Sequence, residues 1–121
     1  MTPVMQTRFE KGHGNCLNAC VASILDLPIG GSGVPEGRDD LRPWLLAQDM
    51  GIMWITLQPG TVTLPGAGSY YLGAGQSPRD PDVAHAIVMS EYREVHDPHP
   101  SGRFLEGHVQ QIGFVVRMGR P

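Results

Sequence analysis

Apolar residues near the start of the chain recur with a helical period: Leu17, Cys20, Val21, Ile24 and Leu25 stand at i, i+3, i+4, i+7 and i+8. That spacing gathers one stripe and predicts a helix with a buried face over residues 15–27. Asn15 is placed to cap it, Gly14 allows a sharp turn into it, and Pro28 stops it. Residues 29–38 read as a loop. Leu41, Trp44 and Leu45 then mark one face of a second helix, capped by Asp39 or Asp40, running to about Gln48 and closed by Gly51.

Beyond Gly51 the pattern changes to short β-rich runs separated by turn residues. "IMWITL" (52–57), "SYYLG" (69–73), "AHAIVMS" (84–90), "REVHD" (93–97) and "VQQIGFVVRM" (109–118) read as strands. "GQSPRDPD" (75–82) reads as a loop, and a tight turn joins the third and fourth strands. The order α-α-β-β-β-β-β predicts a single α+β domain over residues 1–121, with N-terminal helices packed on an antiparallel sheet.

Composition narrows the function classes. The 121 residues are 40% hydrophobic and 17% charged, with 16 glycines and 11 prolines, a folded composition rich in turns. The net charge of −3 and the absence of a basic run speak against a nucleic-acid partner. No run approaches the ~18 apolar residues of a membrane span. The opening "MTPVMQTRFEKG" has no basic segment followed by an apolar one, so a cytoplasmic, reducing setting is expected and a disulfide is not.

The two cysteines divide by position. Cys16 lies at the start of the first helix, where unpaired N–H groups favour a thiolate, whereas Cys20 lies one turn deeper on the apolar stripe. Histidines stand at 13, 85, 96, 99 and 108, and His85 begins an otherwise apolar strand. A three-residue turn at Ser90, Glu91 and Tyr92 would oppose Met89 to Arg93, Ile87 to Val95 and His85 to Asp97. Directly opposed residues share a face, so His85 and Asp97 would lie side by side; a shift of one residue would separate them. The chain thus offers a nucleophile, a base and an orienting carboxylate. His96 and His99 with the two cysteines would make a poor zinc site, because Pro98 and Pro100 stiffen that segment and the cysteine spacing is not that of a knuckle. No metal and no cofactor is called for. Arg79, in "GAGQSPR", is suited to an anionic group.

These motifs resemble the papain-like cysteine peptidase superfamily: "GNCLNACVASIL" as the nucleophile helix, "HAIVM" as the histidine strand, "VHDPHPSG" as the strand of the third residue, in the chain order Cys, His, Asp. More narrowly, "QTRF", "GNC…ACVAS", "SPR" and "HDPHPSG" are similar to a family of small bacterial and phage proteins related to those peptidases. The resemblance implies a compact papain-like domain in which Cys16, His85 and Asp97 form a triad and Gln6 helps to hold an oxyanion. It lies ten residues before Cys16, a longer gap than the superfamily's usual one. The chain is much shorter than a full papain domain and lacks the tryptophan that usually follows the histidine's partner, so a two-lobed peptide cleft is not expected. The expected activity is hydrolysis or acyl transfer on a small amide, isopeptide or thioester, with a small molecule or peptide as partner. The rival reading is a non-catalytic binding protein on the same scaffold that sequesters a small anionic, nucleotide-like ligand. Arg79, Asn15, Tyr70 and His99 are the candidate ligand contacts.

Overall fold

The structure is a computed structural model and describes residues 1–58 and 69–119. Two α-helices precede five strands: α1 (Cys16–Leu25), a 3-10 turn (Arg38–Asp40) leading into α2 (Leu41–Ala47), then β1 (Met50–Thr56), β2 (Tyr70–Gln76), β3 (Ala84–Ser90), β4 (Arg93–His96) and β5 (Glu106–Arg117). The expected mixed α and β architecture is therefore present. The strands form one sheet in the order β1-β5-β2-β3-β4, every neighbouring pair antiparallel.

Helix α1 stops two residues before position 27, because Asp26 turns into the left-handed region at φ 56° and Leu27 N–H reaches back to Ala22 O at 3.0 Å. The Asp26 carboxylate then holds the chain's start, accepting from Thr2 Oγ1 at 2.8 Å and facing the N-terminal ammonium at 3.3 Å. From there residues 1–8 run back along α1: Val4 N–H meets Ser23 Oγ at 2.9 Å, and Gln6 N–H meets Pro98 O at 3.0 Å. Helix α2 closes at Gln48 and Asp49, the latter at φ 58°, rather than at Gly51, which belongs to β1.

The sheet is buried on both faces at its centre, along β2 and β3, while much of β1 and β4 is exposed. Leu72, Ala86 and Val88 pack against Cys20, Val21 and Ala22 of α1 and Leu41 and Leu45 of α2. The opposite face gathers Tyr71, Ile87, Met89 and Ile112 with Leu105. Each large buried side chain contributes roughly 1.5–3 kcal/mol relative to exposure. A strand covered on both sides reads as a continuous apolar run, and this is why His85 to Met89 of β3 are all buried. Strand β2 extends through Gly73, Ala74 and Gly75 into the segment expected to be a loop. It lies between β5 and β3, and a Cβ on Gly73 would come within 2.6 Å of Met89 Sδ. Only glycine allows that approach.

The β3–β4 hairpin differs from the expected three-residue turn. Ser90 pairs with Arg93 and Met89 with Glu94, so the turn holds two residues, Glu91 and Tyr92. Val88 then pairs with His96, so Val95 is the extra residue of a bulge. Among the described residues no helix is long and apolar enough to cross a membrane.

Candidate functional site

The start of α1 is held by two buried asparagines. Asn15 occupies the N-cap position, but its side chain makes no cap hydrogen bond. Instead Oδ1 accepts from Thr7 N–H at 2.9 Å and Arg8 N–H at 3.0 Å, while Nδ2 donates to Thr7 Oγ1 at 2.8 Å and Glu36 O at 3.0 Å. One turn on, Asn18 Nδ2 donates to Pro35 O at 2.8 Å and Gly37 O at 2.9 Å. The segments 7–8 and 35–37 are thereby fastened around the residue between the two asparagines' turns, Cys16. Sequence reasoning missed this framework, because its partners are main-chain groups that no motif advertises.

Strand β4 pairs with β3 only from Val88 to Ser90, which leaves the Ala84–Ile87 stretch of β3 with one edge free of β4. Cys16 meets that edge. Burial works against its thiolate, but hydrogen bonding and charge from His85, together with the backbone N–H groups of Ala86 and Leu17, outweigh it and hold the thiol below its ordinary pKa. Cys20, fully buried, is pushed well above its ordinary value by burial. The two cysteines are free thiols in different electrostatic states.

His85 is only 4% exposed, and its Nε2 lies 2.7 Å from Asp97 Oδ1. Nε2 being engaged there, Nδ1 is the ring nitrogen left for Cys16. Burial disfavours the imidazolium, but the hydrogen bonds to Asp97 and Cys16 and their charges raise its pKa from 6.5 to about 9. Asp97 is held by three donors, because Oδ1 also accepts from His99 N–H and Oδ2 accepts from Phe104 N–H, both at 2.9 Å. Burial favours its neutral form, but these hydrogen bonds prevail and keep the carboxyl below its ordinary value. The shifts of Cys16 and His85 act in one direction, towards thiolate and imidazolium.

The bulge brings His85 and Asp97 together. Continued past Met89↔Glu94 without a bulge, the ladder would set Asp97 opposite Ala86, on the other face from His85. With Val95 inserted, the ladder ends at Val88↔His96; carried one residue further, that register would set Asp97 towards Ile87, with His85 two residues along the same face. The expected face-sharing is therefore present, reached by a shorter turn and an added residue.

Around this pair opens a cavity of about 710 Å³, whose wall includes Gln6, Phe9, Cys16, Arg79, His85 and His99. Gln6 is buried, its Nε2 donates to Arg8 O at 3.0 Å, and its Oε1 has no partner among the described residues. His99 stands edge-on to His85, ring centres 6.3 Å apart, and edge-on to Phe9 at 5.4 Å. Arg79 is exposed and donates from Nη1 to Ser101 Oγ at 2.9 Å. Tyr70 is not part of this assembly. It pairs with Ser90, whereas His85 faces Gly75. Five residues of strand, about 17 Å, separate the two positions. His96 Nε2 lies 2.8 Å from Val4 O and ties the N-terminal segment to β4. Among the described residues no three His, Cys, Asp or Glu side chains gather to hold a metal ion. Phe9 and Ser101 fall within the "QTRF" and "HDPHPSG" motifs, which do not single them out as site residues; each reaches the site through a loop contact.

No family model, no curated protein and no solved structure matches this chain. The chemistry open to the site follows from its groups: a thiol biased to thiolate, an imidazole biased to imidazolium, and a carboxylate held charged against the ring. That set can attack a carbonyl carbon and return a proton to a leaving group.

Proposed function

We propose that this protein is a papain-like cysteine hydrolase or acyl transferase acting on a small amide, isopeptide or thioester. The observation that carries the reading is the buried 2.7 Å contact between His85 Nε2 and Asp97 Oδ1, which leaves the other ring nitrogen to Cys16 at the start of α1. Asp97 fixes the tautomer and orientation of the ring and stabilises its charge. Cys16 Sγ attacks the carbonyl carbon, and the displaced electron pair moves to the carbonyl oxygen. Collapse of that adduct expels the amine or thiol, which takes the proton from His85 and leaves an acyl-thioester on Cys16. His85, now neutral, takes a proton from water or from an acceptor amine. That nucleophile attacks the thioester, the thiolate leaves, and the imidazolium is restored. Backbone N–H at the start of α1 and the free N–H of Gln6 Nε2 are the candidate oxyanion donors. The triad order and the arrangement of an N-terminal helix before an antiparallel sheet support membership in the papain-like superfamily. A cavity of about 710 Å³ suits a small substrate.

The test uses p-nitrophenyl acetate as a generic acyl donor. A burst of nitrophenol with an acetyl group on Cys16, seen by peptide mass mapping, is expected. Cys16→Ala abolishes it and Cys20→Ala retains it. Acetylation spread over lysine, hydroxyls and both thiols, with no burst, would overturn the reading.

A further inference from the structure

Three cations, Lys11, Arg38 and Arg79, line the cavity that also takes in Cys16, and they differ in how they are held. Lys11, also in the cavity wall, faces Asp80 at 3.8 Å and Asp82 at 4.0 Å. Arg79, in the same wall, makes no ion pair among the described residues. Its guanidinium is nevertheless held in place. Nη1 donates to Ser101 Oγ at 2.9 Å, while the Arg79 main-chain N–H, donating to Ser77 Oγ at 3.2 Å, fixes the backbone from which the side chain extends. Ser101 N–H donates to His99 Nδ1 at 3.0 Å, His99 N–H donates to Asp97 Oδ1, and Asp97 Oδ1 meets His85 Nε2. Hydrogen bonds made by Ser101 and His99, linked through the covalent frames of those two residues, thus connect the guanidinium to the imidazole's partner Asp97. Arg38 also lines the cavity, but among the described residues no hydrogen bond orients its guanidinium.

A guanidinium carries five N–H donors in a fixed fork, and one contact to a serine leaves most of them for an incoming group. His99 adds a second donor of defined sense. Its Nδ1 accepts from Ser101, so in the uncharged ring the proton sits on Nε2. Burial and the neighbouring Arg79 both hold that ring below its ordinary pKa, in the neutral form.

We propose that Arg79 is the specificity-determining residue of this site and that the substrate carries an anionic group of the carboxylate or phosphate type near the carbonyl that Cys16 attacks. This rests on the thiol chemistry proposed above and names the substrate class for it. The Arg79 fork rests on Ser101, and the loop that carries Ser101 also supplies the His99 and Phe104 N–H groups that hold Asp97, so the group that binds substrate and the group that orients the base share one support.

The experiment compares two alkylating agents of similar size at neutral pH and low salt, iodoacetate and iodoacetamide, on the full chain. The readout is the ratio of their second-order rates at Cys16, the uncharged reagent serving as reference. Arg79→Gln is expected to lower the iodoacetate-to-iodoacetamide ratio by about tenfold, the scale of one charge-assisted hydrogen bond. Arg79→Lys, which keeps the charge but not the fork, is expected to fall between. An unchanged ratio in Arg79→Gln would overturn the proposal and assign any anion preference to the His85 imidazolium. Protection of Cys16 by succinate but not inorganic phosphate marks the anion as a carboxylate, and the reverse marks a phosphate. If neither reagent labels Cys16, the thiol reading fails by itself. Calorimetric titration of succinate and phosphate into wild type and Arg79→Gln then decides the anion site: weaker binding in the variant supports it, and equal or no binding overturns it.

Discussion

Asp97 accepts from His85 at 2.7 Å although the two residues are not register partners; the ladder ends one residue earlier, at Val88↔His96, and the contact reaches three residues along β3 from there. One inserted residue, Val95, decides which face Asp97 occupies. Deleting Val95 is expected to turn Asp97 towards the helix-facing side of the sheet and to disconnect it from His85. Val88 and Met89, which flank the bulge, belong to the two apolar clusters, so some loss of stability is expected as well; circular dichroism checks that the sheet is kept, and the reactivity of Cys16 towards iodoacetamide should then fall below that of wild type. Full retention of that reactivity would show that the bulge is not what positions Asp97.

Removing the carboxylate should act first on the imidazole. In Asp97→Ala, His85 keeps its burial and loses its strongest partner, so the proton should leave the ring well below the present value of about 9. The His85 ring resonances followed by NMR across pH give the answer directly. The variant also removes the acceptor of the His99 and Phe104 N–H groups, which are part-buried, so each loss costs up to about 1–3 kcal/mol, the value for a fully buried donor. Chemical denaturation should therefore show a lower midpoint.

The same shift makes folding stability depend on pH. The folded pKa of His85 is raised above its unfolded value of 6.5, so its contribution is fully present below 6.5 and is lost as the pH rises through about 9. Cys16 acts in the opposite sense, since its folded pKa is depressed: its contribution is present above its unfolded pKa and is lost as the pH falls through the folded one. Melting temperatures of Cys16→Ser, which retains only the His85–Asp97 contact, should fall with rising pH through a window that opens near 6.5 and closes earlier than in wild type. A melting temperature flat across that range would contradict the assignment of the charged ring.

Asn15 is expected to matter for stability rather than for ligand affinity. Its four hydrogen bonds fasten residues 7–8 and 36 to the start of α1, and two of them satisfy backbone N–H groups. Asn15→Ala should lower unfolding free energy by roughly 1–3 kcal/mol, since a buried side chain and its four part-buried hydrogen bonds are removed together. Urea denaturation measures it, and a loss below about 0.5 kcal/mol, the range of ordinary surface substitutions, would remove Asn15 from the framework.

Helix α1 was legible because a period of 3.6 with five apolar positions admits one buried face, and that face separates Cys16 from Cys20. Strand β3 was legible from its apolar run; the parity argument named Asp97 through a register the hairpin does not adopt, and the His85–Asp97 contact arises because a shorter turn and an inserted residue offset each other. Hairpin geometry was not: the turn at Glu91 and Tyr92 carries no Asn-Gly or Asp-Gly signature, and a bulge depends on contacts across the sheet rather than on local preference. Strand β2 was cut short because Gly73, Ala74 and Gly75 have weak strand propensity, which a position between two paired strands overrides. Asn15 was misjudged as a helix cap because its partners lie 7, 8 and 21 residues away in the chain. Tyr70, taken with the ligand candidates for its chemistry, sits at the end of β2 remote from His85, a separation set by strand register that composition does not record.

The central claim is that His85 holds Cys16 as a reactive thiolate. Iodoacetamide alkylation of Cys16 as a function of pH, in wild type and His85→Ala, measures this most directly. Wild type should react at a rate that levels off below the ordinary thiol pKa, with Cys20 unlabelled in the folded protein. His85→Ala should lose that low-pH reactivity and follow a profile displaced upward, since burial then acts on the thiol without its main opposing partner. Identical profiles in the two proteins, or alkylation of Cys20 ahead of Cys16, would contradict the account.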